Sequence, residues 1–281
     1  MAPEHLPTTT MELRITSKRL SWSDSLRELV AYRDLLWILS YREISIRYKQ
    51  TVIGILWVVL QPLIMTVLMT VIFGLFAKIK SGGIPYALFS FSGMTIMGFF
   101  TNAITRAGLS VVADERLITK VYFPRAIIPF ASILSSGLDF LVSLGLLLLI
   151  AAWYGFFPGI YFLAVVPASL ITVLVSSGLG TAFAGLTVRY RDFRYVVPFF
   201  LQLAFYASPI IYPISYIPKK YLYFYYLNPM AGATELFRYA ITGAISIDPG
   251  GIAISALVAF FCFLAGGIIF RQVEQSFADV I

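Results

Sequence analysis

Six long apolar runs constrain the fold of this chain more than any other feature of its sequence. A helix needs about 20 mostly apolar residues to cross the hydrocarbon core of a bilayer. Lipid offers no hydrogen-bond partner to free backbone groups, so runs of this length form helices, and they lack the strict alternation of membrane-barrel strands. The sequence therefore predicts an all-α polytopic membrane protein with six transmembrane helices. The predicted spans are residues 52–77, 86–105, 126–153, 160–188, 195–217 and 251–270.

The distribution of charge predicts the orientation of these spans. Only 12% of the 281 residues are charged, against about 25% in soluble domains. Of the 21 Lys and Arg residues, 16 lie in segments that are inside if the N-terminus is cytoplasmic, and five lie outside. Cytoplasmic loops carry the excess of Lys and Arg, so both termini are predicted to be cytoplasmic. The net charge of +7 then reports topology, and no nucleic-acid partner is needed to explain it.

Two segments outside the spans are distinctive. Residues 1–23 are predicted to be a disordered tail, and residues 24–49 mix aromatic, apolar and charged positions at helical spacing. That mixture predicts an amphipathic helix on the cytoplasmic leaflet. The outer stretch 213–248 is aromatic but broken by Pro and Gly, which favours short re-entrant or interfacial helices over a seventh span.

A helix near residues 229–242 is predicted within this outer stretch. Asn228 is a suitable N-cap, Pro229 suits the first helical position, and Gly243 is a suitable stop. Glu235 and Arg238 are three residues apart, so the helix would place them on one face as a candidate ion pair.

Residues that carry catalytic chemistry are scarce. The sequence has no G-x-x-x-x-G-K-[ST] phosphate-binding loop, one cysteine (Cys262) and one histidine (His5). It therefore predicts no catalytic, metal or cofactor site in this chain. Small residues from Ser177 to Gly185 lie inside the fourth predicted span and favour close helix packing.

Asp139 lies near the middle of the third predicted span, where an unpaired charge is costly. It should therefore face protein or water and have a partner. Arg106 and a hydroxyl group of a neighbouring span are the candidates. A structural ion pair or hydrogen bond and a direct role in function both fit the sequence.

The loop between the second and third spans mixes charged and apolar residues over residues 113–125, and Pro124 ends any helix there. This pattern predicts a short amphipathic helix that docks on another molecule, with a solvated loop as the alternative. The next inside loop, residues 189–194, is basic and aromatic, which also suits a simple topology anchor.

Several motifs follow one another from about residue 25 onward. They are Tyr32-Arg-Asp-Leu-Leu36, Arg42-Glu-Ile-Ser-Ile-Arg-Tyr-Lys-Gln50, Gly54-Ile-Leu-Trp-Val-Val-Leu-Gln-Pro62, Leu117-Ile-Thr-Lys-Val-Tyr-Phe-Pro-Arg125, Arg189-Tyr-Arg-Asp-Phe-Arg194, Ser208-Pro-Ile-Ile-Tyr-Pro213 and Leu227-Asn-Pro229. In combination they resemble the permease subunit of the type-2 ABC exporter family. Within it they resemble the branch that exports polysaccharides and polyol phosphates, such as O-antigen, capsule and teichoic acid.

The resemblance implies an architecture and a division of labour. Family permeases have six spans, an N-terminal interfacial helix and outer gate helices between spans five and six. Two permeases form a homodimer with the channel between them, and two copies of a separate cytoplasmic ATPase bind ATP and Mg. This chain would then be a non-catalytic subunit in the bacterial plasma membrane that moves a lipid-linked glycan. The implied ATPase-coupling loop consists of Asp114, Glu115, Arg116, Leu117, Ile118, Thr119, Lys120, Val121, Tyr122 and Phe123.

Aromatic and amide side chains are the candidates for contact with such a glycan, because aromatic faces and scattered hydrogen bonds bind sugars. The alternative for each aromatic residue is a lipid-facing, interfacial or core position. The candidate channel-wall residues are Trp57, Gln61, Phe199, Phe200, Gln202, Phe205, Tyr206 and Tyr212. The candidate outer-gate residues are Tyr221, Tyr223, Tyr225, Tyr226, Glu235 and Arg238.

Three other functions stay open on the sequence. An exporter of a drug, haem or lipid keeps the family and changes the cargo, although the interfacial helix and the aromatic spans favour a glycan. An ion-coupled secondary transporter usually has paired intramembrane charges and internal repeats. A membrane glycosyltransferase needs acidic residues clustered in a loop, whereas the acids here are scattered.

Overall fold

The described part of the chain is built from helices. The computed structural model describes residues 31–49, 56–120 and 123–274, and no strand occurs within them. The helices are α1 (Arg33–Lys49), α2 (Leu56–Met69), α3 (Tyr86–Ala113), α4 (Glu115–Lys120), α5 (Ile127–Trp153), α6 (Val165–Arg189), α7 (Phe193–Ala207), α8 (Leu222–Tyr225), α9 (Pro229–Thr242) and α10 (Pro249–Glu274). A π-helical turn, Thr70–Phe76, continues α2, and 3-10 turns occupy Gly159–Ala164, Ile214–Tyr216 and Lys219–Tyr221.

Five of the described helices are long and apolar enough to cross a bilayer. They match the first, second, third, fourth and sixth predicted spans, and are Leu56–Phe76, Tyr86–Ala113, Ile127–Trp153, Gly159–Arg189 and Pro249–Glu274. Helix α3 continues to Ala113, beyond the predicted end at residue 105, because Arg106 finds a carboxylate partner inside the bundle. The predicted tail 1–23, residues 24–30 of the predicted interfacial helix, and residues 52–55 of the first span lie outside the described residues.

The prediction of one helix over residues 195–217 was wrong. Helix α7 ends at Ala207 and has 15 residues, which gives about 22 Å at a rise of about 1.5 Å per residue, less than the hydrocarbon thickness of about 30 Å. Ser208 is extended, and Pro209 follows it without a backbone N–H to continue the helix. The described residues therefore contain five span-length helices and one shorter apolar helix, so the predicted count of six is not confirmed.

Helices α3 and α6 form the centre of the bundle. Helix α3 packs against α5 and α6, and α6 packs against α10. Helix α9 fills the space between α3, α6 and α10. Helices α2 and α7 pack on the outside of α3, and both keep large exposed apolar side chains.

Helices α6 and α10 touch through their backbones. A Cβ atom added at Gly266 would lie 1.9 Å from the carbonyl oxygen of Gly178, and one added at Gly178 would lie 2.3 Å from the carbonyl oxygen of Cys262. Residues without a Cβ allow such an approach, which is how helices associate closely in lipid. The predicted role of the small residues between Ser177 and Gly185 is confirmed.

Replacement of Gly266 by Ala should destabilise the protein, because the new methyl group forces α6 and α10 apart. Overpacking of a tight interface costs about 1–3 kcal/mol. We expect a lower thermal unfolding temperature in detergent, measured by intrinsic fluorescence. The control is Gly137→Ala on α5, where an added Cβ meets nothing within 4 Å; equal unfolding temperatures for the two variants would contradict the tight contact.

The outer helix α9 begins and ends where the sequence predicts. The Asn228 side chain accepts a hydrogen bond from the Met230 backbone N–H at 3.0 Å, and Pro229 occupies the first helical position. Gly243 ends the helix with a φ of 61°, in the left-handed region that favours glycine. These caps fix the position of Glu235 and Arg238 within the outer segment.

Helix α1 packs alongside the first half of α5. Leu39 and Ser40 are buried, whereas Trp37, Ile38 and Tyr41 are more than 60% exposed. An exposed aromatic and apolar face beside charged residues suits a helix that lies in a membrane interface. The helix predicted for this segment is therefore present over Arg33–Lys49, and its position on the cytoplasmic leaflet stays a prediction.

Candidate functional site

Asp139 of α5 joins three helices. It is 6% exposed, and its Oδ2 atom accepts hydrogen bonds from the Arg47 guanidinium of α1 at 2.7 Å and from Arg106 of α3 at 2.9 Å. The Tyr48 hydroxyl donates to the other carboxylate oxygen. The predicted partner Arg106 is confirmed, and two further partners come from α1.

A row of polar contacts continues from Asp139 along the α1–α5 interface. The Ser40 hydroxyl donates to the carbonyl oxygen of Ala131 at 3.2 Å. The Glu43 carboxylate accepts hydrogen bonds from Ser132 at 2.6 Å and from Ser135 at 2.8 Å. Arg47 donates to the Ser135 hydroxyl at 3.2 Å as well as to Asp139. Successive turns of α1 therefore bind successive turns of α5, and the two helices form one unit.

A cavity of about 630 Å³ opens beside this unit, between α1, α2, α3 and α5. Arg47, Arg106 and Asp139 line its charged side. Trp57 and Gln61 of α2 also line it, and each is exposed. The cavity thus combines an aromatic face, an amide and a set of charged groups, which is the chemistry that binds a hydroxyl-rich molecule.

Three of the eight candidate channel-wall residues meet at this cavity: Trp57, Gln61 and Phe205. Among the described residues, the other five do not line it. Phe199, Gln202 and Tyr206 are exposed on α7, and the Phe200 ring packs edge-on against Phe183 with 5.6 Å between centroids. The Tyr212 hydroxyl lies 3.2 Å from that of Tyr225 in the outer segment.

Arg238 holds the outer segment from inside. Its side chain is buried and donates to the carbonyl oxygens of Pro209 at 2.5 Å, Ile210 at 3.0 Å and Phe89 at 3.2 Å. The guanidinium carbon also lies 3.5 Å from the centre of the Phe89 ring. Gly93 leaves the space for this group, since a Cβ there would lie 2.6 Å from a guanidinium nitrogen. Arg238 thus ties the two residues Pro209 and Ile210, which follow the end of α7, to α3.

The predicted ion pair between Glu235 and Arg238 is wrong. Within the described residues, neither forms an ion pair; Glu235 instead accepts a hydrogen bond from the Tyr226 hydroxyl at 2.5 Å. Both carboxyl and phenol are buried, and burial raises the pKa of Glu235 to about 7. Arg238 points to carbonyl oxygens because these cluster at the break after α7.

The four tyrosines predicted for the outer gate have different environments. Tyr221 and Tyr223 are more than half exposed, Tyr225 is half-buried, and Tyr226 is fully buried. Tyr226 therefore belongs to the packed interior with Glu235 and Arg238, and the exposed pair forms the surface of the segment. A role as a gate stays a prediction for all of them.

The predicted coupling loop forms a short helix, α4, at the same end of the bundle as α1. Leu117 and Ile118 pack toward a cluster that contains Leu39 of α1. One guanidinium nitrogen of Arg42 contacts both carboxylate oxygens of Asp114, at 2.7 and 2.5 Å. Phe123 is buried, and Val121 and Tyr122 lie outside the described residues. The exposed side chains of α4 are Glu115, Arg116, Thr119 and Lys120.

Comparison with known proteins decides the family. Residues 34–242, most of the chain, match the family described as ABC-2 type transporter. The chain belongs to this family. Its similarity to individual proteins extends further, over nearly their whole length.

Two O-antigen export system permease proteins RfbA are similar to this ABC-2 chain. The one from Myxococcus xanthus is 30% identical over 259 residues, which cover 91% of this chain and 98% of the relative. The one from Klebsiella pneumoniae is 28% identical over 250 residues, covering 88% and 95%. The polysialic acid transport protein KpsM of Escherichia coli is 26% identical over 243 residues, covering 84% and 92%.

Sequence reasoning missed the residues of α1 that complete the ABC-2 chain's polar network. Arg47 and Tyr48 are 92 and 91 residues from Asp139 in sequence, and in an amphipathic helix a basic residue reads as part of the solvent face. The available signal was the row of hydroxyls Ser132, Ser135 and Ser136 on α5, which needs polar partners from a neighbouring helix inside the membrane.

Proposed function

We propose that this chain is the channel-forming permease of an ATP-driven exporter that moves a lipid-linked polysaccharide out of the cytoplasm. The observation that carries the proposal is the cavity beside Asp139, in which Trp57 and Gln61 face charged groups. The similarity to permeases named for O-antigen and polysialic acid transport supports a polysaccharide as the cargo.

In this proposal two copies of the permease form a homodimer. Helices α2 and α7 supply the shared channel wall, because both lie on the outside of α3 and carry exposed apolar or aromatic side chains such as Val67 and Phe199. The cavity opens beside α2, so the second copy of the permease adds another wall to it across the dimer axis. Each copy supplies one half of the channel wall, and the two halves together enclose the path of the polymer.

ATP and Mg belong to a separate pair of cytoplasmic ATPase subunits. The short helix α4 docks on them through its exposed charged residues, with Leu117 and Ile118 anchoring it to α1. Closure of the ATPases on ATP moves α4, and rigid-body shifts of the helices open the path at the dimer axis. The chain itself supplies passage and coupling.

Passage of a sugar polymer requires many weak contacts. The Trp57 indole offers a flat apolar face to the C–H groups of a sugar ring, and Gln61, Asn102 and Arg106 offer hydrogen bonds to its hydroxyl groups. These contacts are repeated for each sugar unit, so no single binding site holds the polymer tightly. The charged groups on one side of the cavity keep the cytoplasmic entrance of the proposed channel hydrated.

The test is removal of the gene from the strain that encodes this protein. We expect the glycan to disappear from the cell surface and its lipid-linked form to accumulate in the cytoplasmic membrane, and a plasmid copy of the gene should reverse both changes. Affinity purification of the restored permease should also recover an ATPase. Unchanged surface glycan in the deletion strain would contradict the proposed function.

Replacement of Trp57 by Ala should lower the surface glycan while leaving the complex intact. An aromatic contact contributes about 0.5–1.5 kcal/mol, which corresponds to a reduction of about 2- to 10-fold. Surface glycan is measured by immunoblot, and complex assembly by co-purification of the ATPase. The matched control is Trp153→Ala, at the other end of α5 and 87% exposed; equal export by both variants would remove Trp57 from the channel wall.

A further inference from the structure

Helix α1 binds both the start of the coupling helix and the charged side of the cavity. At one place, Arg42 contacts Asp114, which caps the end of α3 and directly precedes α4. Five residues later, Arg47 contacts Asp139, which lines the cavity. The same short helix therefore touches the element that faces the ATPase and the element that faces the cargo.

The contact between α1 and α5 is continuous. Ser40, Glu43 and Arg47 of α1 each bond to α5, and the partners step from Ala131 to Asp139. Leu39 adds an apolar contact to the cluster that contains Ile127 and Ile128. Because these contacts follow one another turn by turn, a displacement of α1 displaces α5 with it.

Asp139 also links this α1–α5 unit to α3 by an ion pair. The guanidinium groups of Arg47 and Arg106 share the single atom Oδ2, so one carboxylate holds two cations that come from different helices. Any sliding of the α1–α5 unit along α3 must change the contact between Arg106 and Asp139, because the contact between Arg47 and Asp139 lies within the unit. Movement at the coupling helix therefore changes the charged side of the cavity directly.

We propose that α1 transmits the movement of α4 to the channel, with Arg42 and Arg47 as positioning residues. Arg42 acts through Asp114 and Arg47 acts through Asp139; neither side chain binds nucleotide. The inference rests on the proposed ATP-driven export and assigns the coupling within it to two ion-paired contacts of one helix.

The test exchanges the charges of the Arg42–Asp114 pair. The variants are Arg42→Asp, Asp114→Arg and the double exchange, each expressed in the deletion strain with the native ATPase. Surface glycan is measured in cells, and ATP hydrolysis and ATPase co-purification are measured on the purified complex. We expect each single variant to keep the ATPase bound and hydrolysing, and to lose about tenfold in surface glycan per ATP hydrolysed, a coupling change of about 1.4 kcal/mol. The double exchange should recover most of that loss.

A matched control lies on the same helix. Arg33 and Asp34 are 3.8 Å apart, with side chains 75% and 90% exposed, and they contact neither α4 nor α5 by an ion pair within the described residues. Arg33→Asp should leave unchanged the surface glycan per ATP hydrolysed, which is called the coupling ratio below. A second pair of variants examines the contact between Arg47 and Asp139. Arg47→Lys keeps the positive charge and should keep about half of the wild-type coupling ratio, whereas Arg47→Gln should lose most of that ratio.

Three results would overturn the inference. They are a normal coupling ratio in the single variants, a double exchange as impaired as the singles, and loss of the bound ATPase from Arg42→Asp, which would make Arg42 a docking residue. Failure of the proposed function is separable from these, because it appears as normal surface glycan in the deletion strain before any variant is compared.

Discussion

Replacement of Asp139 by Asn should prevent most of the protein from accumulating in the membrane. The change leaves the guanidinium groups of Arg47 and Arg106 without a carboxylate, although their side chains are only 22% and 28% exposed. Removal of one partner from a buried ion pair costs about 3–5 kcal/mol. That cost is a large share of the stability of a typical protein, about 5–15 kcal/mol. The measurement is the yield of monodisperse protein on gel filtration, together with its unfolding temperature.

Two further variants separate charge from packing at this position. Asp139→Asn combined with Arg106→Gln removes one of the two unmatched cations, so it should recover part of the yield. Asp34→Asn, on an exposed side chain of α1, should behave like the unaltered protein. A normal yield for Asp139→Asn alone would show that the carboxylate does not hold the three helices together.

Replacement of Arg238 by Met should release the outer segment from the bundle. The carbonyl groups of Pro209 and Ile210 lose this donor, whereas that of Phe89 keeps the Ser92 hydroxyl as a donor. Each buried group left unpaired costs about 1–3 kcal/mol. We expect a loss of about 2 kcal/mol or more in the free energy of unfolding, and faster hydrogen exchange over residues 208–212. The measurements are thermal unfolding in detergent and exchange followed by mass spectrometry.

The control for Arg238 is Lys220→Met, an exposed cation in the same outer segment. It should change neither the unfolding temperature nor the exchange rates. Gly93→Ala provides an independent route to the same effect, because the added methyl group occupies the space of the guanidinium. If Arg238→Met unfolds like Lys220→Met, the bonds to the three carbonyl groups do not stabilise the segment.

Much of the fold follows from hydrophobic length and from helix capping. Five apolar runs became span-length helices, because such a run has no other way to satisfy its backbone in lipid. Helix α9 was predictable to the residue, since Asn228, Pro229 and Gly243 each act on the local backbone alone. Local chemistry of this kind does not depend on the rest of the structure.

The features that sequence did not predict depend on distant contacts. A run of apolar residues from 195 to 217 is typical of one span, yet the helix stops at Ala207. Arg238 of another helix then donates hydrogen bonds to the carbonyl groups of Pro209 and Ile210, which follow the break. The network at Asp139 was half predicted for the same reason: Arg106 lies in a neighbouring span, whereas Arg47 comes from a helix outside the spans. Pattern reasoning assigns each residue to an element and cannot tell which elements meet.

The early end of α7 has a consequence for the thickness of the barrier. A helix of about 22 Å leaves about 8 Å of the hydrocarbon layer beside it without a matching apolar helix. The irregular chain that follows α7 contains Ser208 and Tyr212, and the Tyr212 hydroxyl lies 3.2 Å from that of Tyr225 in α8. Irregular backbone at membrane depth occurs where it is buried in protein or borders water. A short helix also draws the surrounding bilayer thinner. If the channel of the proposed exporter runs along α7, a hydrophilic polymer therefore crosses a shorter dry region there than it would through the rest of the membrane.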